Sequence, residues 1–227
     1  MTNIVFMHVG PDVWVPTIMA RSFRKHNPRA RIIQMSDAVS PAIEGVDEVF
    51  RQQLCDRNLM LFRMRCFAAL AIDAPSWFLD TDMLCNRMLE FEAETPAAAA
   101  VCLREFDCDK IFNHTYADMD MSEYKGRTMG SIYPYVACTT RLERPGFWTD
   151  CLAAIEALDP KFHFWYGDQE AIRNVIDAGR YPVGTLPESL YACPPEYENP
   201  SVQPYISHYK GHRKLQMLQR AARESLI

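Results

Sequence analysis

Two carboxylates one residue apart, Asp80 and Asp82, close the apolar run Trp77-Phe78-Leu79 and are followed by Met83-Leu84. Such a run reads as a buried strand, with the carboxylates where it emerges. In an open α/β sheet, ligands bind in the crevice at the carboxyl ends of the strands. Two carboxylates held together there lose solvation and repel each other. A divalent cation removes both penalties. Hard oxygen ligands suit Mn²⁺ or Mg²⁺, ions that take a few carboxylates and complete their shell from water and substrate phosphates. In a surface turn the same pair would only cap backbone amides, so the apolar run before it gives the motif its weight.

The elements that must position this pair can be followed along the chain. Asn3 to Val9 is a β-rich run broken by Gly10-Pro11; Val13 to His26 has a helical apolar period; Arg31 to Met35 is a second strand. This strand–helix–strand opening has neither GxGxxG nor a P-loop, so a diphosphate would be held through a metal rather than a glycine-rich cradle. Val46 to Phe50 is a short strand candidate. Leu59 to Ile72 is a helix leading straight into the carboxylate strand, and Arg63 or Arg65 near its start is within reach of a ligand there or simply solvated. An acidic patch spans Met88 to Glu94, and Ala97 to Leu103 is a strand candidate. Arg104 to Gly130, which includes Asp107, Asp109, His114, Asp118 and Asp120, matches no metal-site spacing and reads as a solvated loop. Ile132 to Thr140 reads as a strand and Pro145 to Leu158 as a helix. Gly167-Asp168-Gln169-Glu170 opens another helix, where Asp168 can serve simply as N-cap. Tyr181 to Leu186 and Tyr205 to His208 are further strands, separated by a proline-rich loop. A basic amphipathic helix closes the chain.

Bulk properties narrow the class. The chain has 227 residues, 48% of them hydrophobic, and a net charge of −5 with a pI near 5.7. That argues against a dedicated nucleic-acid binder, while leaving room for a local basic patch, and fits one domain with a good core. No run is long enough to span a bilayer, and the N-terminus lacks a signal-peptide pattern. The eight cysteines show no CxxC or CxH spacing and lie in apolar segments, which predicts buried, reduced thiols in a cytoplasmic protein and disfavours zinc.

A second motif lies far downstream. His208-Tyr209-Lys210-Gly211-His212-Arg213-Lys214 fits His-x-x-Gly-x-x-Lys. With Leu79-Asp80-Thr81-Asp82 and Gly167-Asp168-Gln169, in that order, the chain resembles the GT-A glycosyltransferases of family 8, from Asn3 to about Lys214. The resemblance implies an α/β, Rossmann-like domain over residues 1–214, with a central mixed, mostly parallel sheet flanked by helices. The C-terminal basic helix, 215–227, follows it. It also implies Mn²⁺ or Mg²⁺ held by Asp80, Asp82 and His208, and a nucleoside-diphosphate sugar, a UDP-sugar in the first instance, as donor. Gly211 would let backbone approach the phosphates, and Lys214 would stabilise the leaving diphosphate. Asp168 and Gln169 would lie near the anomeric carbon, with retention of configuration. His8, Val9 and Gly10 would lie near the base, Arg63 would help bind the donor, and Thr81 would contact the ribose.

Two departures stand out. His8 replaces the acidic or Asn residues usual near the base. The strand that in the family carries Asn, small residues and Gly here reads Ile132-Tyr133-Pro134-Tyr135-Val136-Ala137. The acceptor side is therefore expected to be rebuilt, with Tyr133 and Tyr135 as stacking candidates. The acceptor is a hydroxyl on a glycan, protein or modified base. The basic tail offers contact with an anionic membrane surface or nucleic acid, or a solvated face. Three other functions share parts of the pattern: a sugar nucleotidyltransferase, a haloacid-dehalogenase-like phosphohydrolase, and a non-catalytic sugar-nucleotide binder. The phosphohydrolase pattern wants Thr or Gly just after the second Asp, where this chain has Met83.

Overall fold

The computed structural model describes residues 1–53, 58–71, 73–91, 97–112, 115–116 and 119–227. Cys55, Ile72, Glu94, His114 and Asp118 lie outside the described residues. The first half runs β1 (Asn3–Met7), α1 (Trp14–His26), β2 (Arg31–Ser36), β3 (Glu48–Arg51), α2 (Leu59–Ala69), β4 (Ser76–Leu79), β5 (Met83–Cys85) and β6 (Ala99–Leu103). A short hairpin follows, β7 (Thr115–Tyr116) and β8 (Met119–Asp120), then α3 (Met129–Ile132) and β9 (Tyr135–Leu142). The rest comprises α4 (Phe147–Glu156), α5 (Lys161–Phe164), α6 (Gly167–Asp177), β10 (Val183–Pro187), α7 (Glu188–Tyr191), β11 (Ile206–His208) and α8 (Lys214–Arg223).

Seven strands form one sheet in the order β10-β6-β9-β4-β1-β2-β3. All neighbours are parallel except those of β9, which runs antiparallel to both β4 and β6. Both faces are covered. Alternate residues feed two cores: Ile4, Phe6, Trp77, Leu79, Ala100 and Cys102 face one, with α1 and α8, and Val5, Phe78, Ala99 and Val101 face the other, with α2, α4 and α6. Strands buried on both faces read as continuous apolar runs, which is why β1, β2 and β4 are plain in the sequence.

Two local features shape the sheet's carboxyl edge. In the β6–β9 ladder Val101 pairs with Thr140 but Cys102 pairs with Val136, so Ala137, Cys138 and Thr139 bulge out of register. Bulges re-aim backbone and side chains beside functional sites. Here the Cys138 carbonyl accepts from the Asp80 amide at 3.0 Å, and the Ala137 carbonyl accepts from Arg63 at 2.9 Å. The second feature is an antiparallel pair outside the main sheet, with His208 opposite Met83 and Ile206 opposite Cys85. The Tyr209 amide donates to the Asp82 carbonyl at 2.7 Å and the His208 amide to the Cys193 carbonyl at 2.8 Å.

The structure corrects several boundaries. Pro134 separates the helical turn α3 from β9, so the strand expected from Ile132 starts at Tyr135. The helix expected from Pro145 starts at Phe147, after Gly146 turns the chain at φ +109. The described part of the stretch from Arg104 to Gly130, expected to be solvated, contributes to a small separate core. Phe112, Met121, Ile132, Tyr133 and Phe162 are buried there, with Tyr124 and Tyr166 packed against them. Tyr133 stacks on Tyr166 at 5.0 Å and is fully buried, so it is no platform for a ligand; Tyr135 is half-buried. Tyr124 Oη donates to the buried Glu170 at 2.6 Å, which ties this segment to α6.

The closing helix α8 sends Met217 and Ala221, with Leu226 beyond it, into the core beneath α1. Its Arg220 bonds Glu198, Ser207, Tyr209 and Asn86, and Arg213 pairs with Glu196. These two cations serve the fold itself. No helix among the described residues is long and apolar enough to cross a membrane. The seven described cysteines are free thiols, all buried but Cys108, which is half-buried. Burial pushes the Cys85 and Cys193 thiols up to about 12, so they stay protonated and unreactive at neutral pH.

Candidate active site

β4 ends against the β9 bulge, and the chain turns through Asp80-Thr81-Asp82 before β5 begins. Because β5 pairs with β11, the register brings His208 beside Asp82 although more than half of the chain separates them. One ligand atom from each of Asp80, Asp82 and His208 can be chosen such that all lie within 4.8 Å of one another. His208 is 6% exposed and its Nε2, 3.3 Å from Asp82 Oδ1, has no hydrogen-bond partner among the described residues. A buried polar nitrogen without a partner is costly. Two hard carboxylates and one imidazole form a ligand set that suits Mn²⁺ or Mg²⁺. The residues fit a divalent ion, and Nε2, once it gives up its proton, has the lone pair to meet it.

Two cations flank the carboxylates. Lys214, the first residue of α8, lies with Nζ 3.8 Å from Asp82 Oδ2. Burial raises the Asp82 carboxyl, but His208 and Lys214 beside it hold it below the ordinary range. Arg63, on α2 and only 6% exposed, spans the site: it meets Asp80 Oδ1 at 2.9 Å and Asp168 Oδ2 at 3.2 Å. Arg65 points away, to Glu156. Asp168 and Gln169 form the first turn of α6, so Arg63 links that helix to the metal-ligand turn. Burial raises Asp168, with Arg63 opposing and Asp80 adding to the rise.

The start of α6 is tightly fitted. Tyr166 adopts the left-handed region at φ +59, and a Cβ at Gly167 would come within 2.0 Å of the Phe162 carbonyl oxygen. A Gly167→Ala variant is therefore expected to lose about 1–3 kcal/mol of stability in chemical denaturation, with α6 and its acidic turn displaced.

The loop after β1 emerges on the same edge, one strand from Asp80. His8 Nε2 lies 3.1 Å from the Gly10 carbonyl oxygen. That oxygen only accepts, so Nε2 carries the proton and Nδ1 remains an acceptor. Burial lowers the His8 pKa, keeping the ring neutral, with the Gly10 carbonyl opposing. Val9 packs on the core, while Gly10 at φ +120 has no atom within 4 Å of where a Cβ would be. Gly211 at φ +66 is equally open, at the turn between His208 and Lys214. Thr81 is half-buried between the two carboxylates.

Sequence reasoning missed Arg104, which follows β6 at this edge and donates to Gln169 Oε1 at 3.1 Å. Its position directly after a parallel strand was the available signal. The β9 bulge and its two carbonyls left no signal in residue type.

A proton and a bound metal ion would compete for His208. Burial disfavours the charged ring, but Cys138 and Asp82 raise its pKa well above the ordinary value. In the metal-free protein this protonation stabilises the fold below about pH 6.5, and the contribution fades as pH rises through the raised value. Metal binding has the opposite sign, because the ligand must be neutral. The apparent Mn²⁺ affinity is expected to rise with pH, with net proton release on binding. Calorimetry in buffers of different ionisation enthalpy reads that release directly.

A seven-stranded, mostly parallel sheet with an Asp-x-Asp turn at its carboxyl edge and a His from the far end of the chain defines the GT-A fold. A crystal structure of the galactosyltransferase LgtC in complex with donor and acceptor sugar analogs matches with a TM-score of 0.61 at 14% identity, covering 97% of this chain and 95% of that one. An active-site mutant of LgtC, Gln to Glu, matches with a TM-score of 0.59 over the same shares. At this identity the likeness is one of fold. No protein-family model and no curated protein sequence matches the chain.

Proposed function

We propose that this protein is a metal-dependent glycosyltransferase that moves a sugar from a nucleoside-diphosphate donor, a UDP-sugar in the first instance, to a hydroxyl acceptor with retention of configuration. The observation that carries the reading is the Asp80, Asp82 and His208 group with its orphaned buried Nε2. A Mn²⁺ or Mg²⁺ ion held there would supply Lewis-acid neutralisation of the diphosphate. The chain's own residues do the rest. Lys214, beside Asp82, gives a positive charge for the leaving diphosphate as the glycosidic bond breaks. Gly211, open and in a conformation only glycine adopts easily, lets the backbone come close to the phosphates. Thr81 contacts the ribose, and His8, Val9 and Gly10 receive the base, with His8 Nδ1 as an acceptor. Arg63 is buried between Asp80 and Asp168, so its help to the donor is to hold both carboxylates in place. Asp168 and Gln169 face the transferred sugar.

The acceptor is a sugar hydroxyl in this reading, by analogy with the acceptor analog bound to LgtC. The domain expected over residues 1–214 takes in α8 as well, because Met217, Ala221 and Leu226 pack into its core; Arg213 and Arg220 are paired within the fold, so any contact with an anionic surface falls to the tail's exposed Lys210 and Arg223. The test is a thermal-shift screen of UDP-, GDP-, CMP- and ADP-sugars with and without Mn²⁺. A ligand that binds only the folded state raises its stability. Stabilisation by one sugar nucleotide only with metal is expected; none with any pair would remove the reading.

A further inference from the structure

Arg104 is anchored on its own side of the crevice. Its backbone amide donates to the Pro134 carbonyl at 2.8 Å, and its Nε donates to the Tyr133 carbonyl at 2.7 Å. Tyr133 is fully buried in the aromatic cluster, so this anchor is rigid. Of its two terminal guanidinium nitrogens, Nη2 donates to Gln169 Oε1 at 3.1 Å. A guanidinium has donors only. The Gln169 amide is therefore oriented by chemistry: its oxygen must turn to Arg104. Its nitrogen makes no hydrogen bond among the described residues, and the side chain is half-buried at the start of α6, next to Asp168.

We propose that Arg104 is a positioning residue that fixes the Gln169 amide with Oε1 held away and Nε2–H₂ turned to the crevice. The proposal rests on the transferase reading and sharpens it. Gln169 then meets the transferred sugar or the incoming hydroxyl as a hydrogen-bond donor. An amide oxygen already accepting from a cation is a poor nucleophile, so Gln169 does not attack the anomeric carbon. Without Arg104 the amide is free to flip, and the wrong group faces the substrate half of the time or more.

The experiment compares wild type with Arg104→Met, Arg104→Lys, Gln169→Met and the Arg104→Met/Gln169→Met double variant, each checked for native melting. Side-chain amide resonances in ¹⁵N spectra, assigned to Gln169 by their loss in Gln169→Met, read the contact without any turnover. They should shift in Arg104→Met and largely return in Arg104→Lys. In Mn²⁺-dependent turnover of the donor that the thermal-shift screen identifies, Arg104→Met should lower kcat by about 100-fold, as misplacement of a positioned group does, leaving donor KM within about twofold. Adding Arg104→Met to Gln169→Met should change kcat by less than about twofold, because the two act as one unit. An unshifted resonance, or full additivity of the two substitutions, would overturn the assignment. A wild type that binds and turns over no donor overturns the transferase reading, and the catalytic role of the contact with it; an active wild type with an unaffected Arg104→Met overturns the Arg104 role alone.

Discussion

An Asp82→Ala variant is expected to lose Mn²⁺-dependent sugar-nucleotide binding while keeping its fold. Asp82 supplies one of three candidate ligands, and its backbone carbonyl, not its side chain, accepts from Tyr209. Removing the carboxylate therefore spares the β5–β11 pair. Loss of outer-shell partners alone weakens metal sites by 10–100-fold, so loss of a direct ligand is expected to cost at least about 100-fold. At an ion concentration 100 times the wild-type Kd, stabilisation falls from about 2.7 kcal/mol to about 0.4 kcal/mol or less. Thermal or urea unfolding with and without Mn²⁺ reads this difference. A variant that still gains the full wild-type stabilisation would show that the ion sits elsewhere.

Arg63→Met should give the largest loss of stability in the metal-free protein. The side chain is nearly isosteric along its stem, but it leaves Asp168 buried without its ion pair and Asp80 without its nearest cation. Breaking a buried pair from one side costs about 3–5 kcal/mol. Asp168 is the more buried partner, with its side chain 10% exposed against 32% for Asp80, so most of the loss arises there. Asp168→Asn in the same chain is expected to recover a substantial part, since the uncompensated charge is gone. Mn²⁺ should recover another part through Asp80. Urea denaturation of the four variants checks the coupling; equal losses with and without Asp168→Asn would mean the destabilisation comes from the lost Ala137 hydrogen bond instead.

The legible parts of the molecule are those where residue type and period carry the information. β1, β2 and β4 are buried on both faces and stand out as apolar runs. The Asp80-Thr81-Asp82 turn is visible because paired carboxylates at a strand end are chemically unusual; the His208 motif is visible through the resemblance of its spacing to the family pattern. What remained hidden depends on contacts between distant segments. Nothing in Met83-Leu84-Cys85 says that it will pair with Ile206–His208. The β9 bulge is a register shift that no side chain announces. The polar letters of 104–130 suggested solvent, yet Phe112, Met121 and Tyr124 find partners in Tyr133 and Phe162, farther along the chain. Gln169 was visible, but Arg104 and its contact with Gln169 were not.

The pairing of β5 with β11 has one further consequence. A site whose ligands come from the two halves of the chain has no partial version: a nascent polypeptide that has not yet released the segment around His208 holds only a pair of repelling carboxylates. An ion captured there fastens a very long loop, whose closure carries a large entropic cost in the unfolded chain. Metal capacity should therefore appear only once both β5 and β11 have been made and have paired.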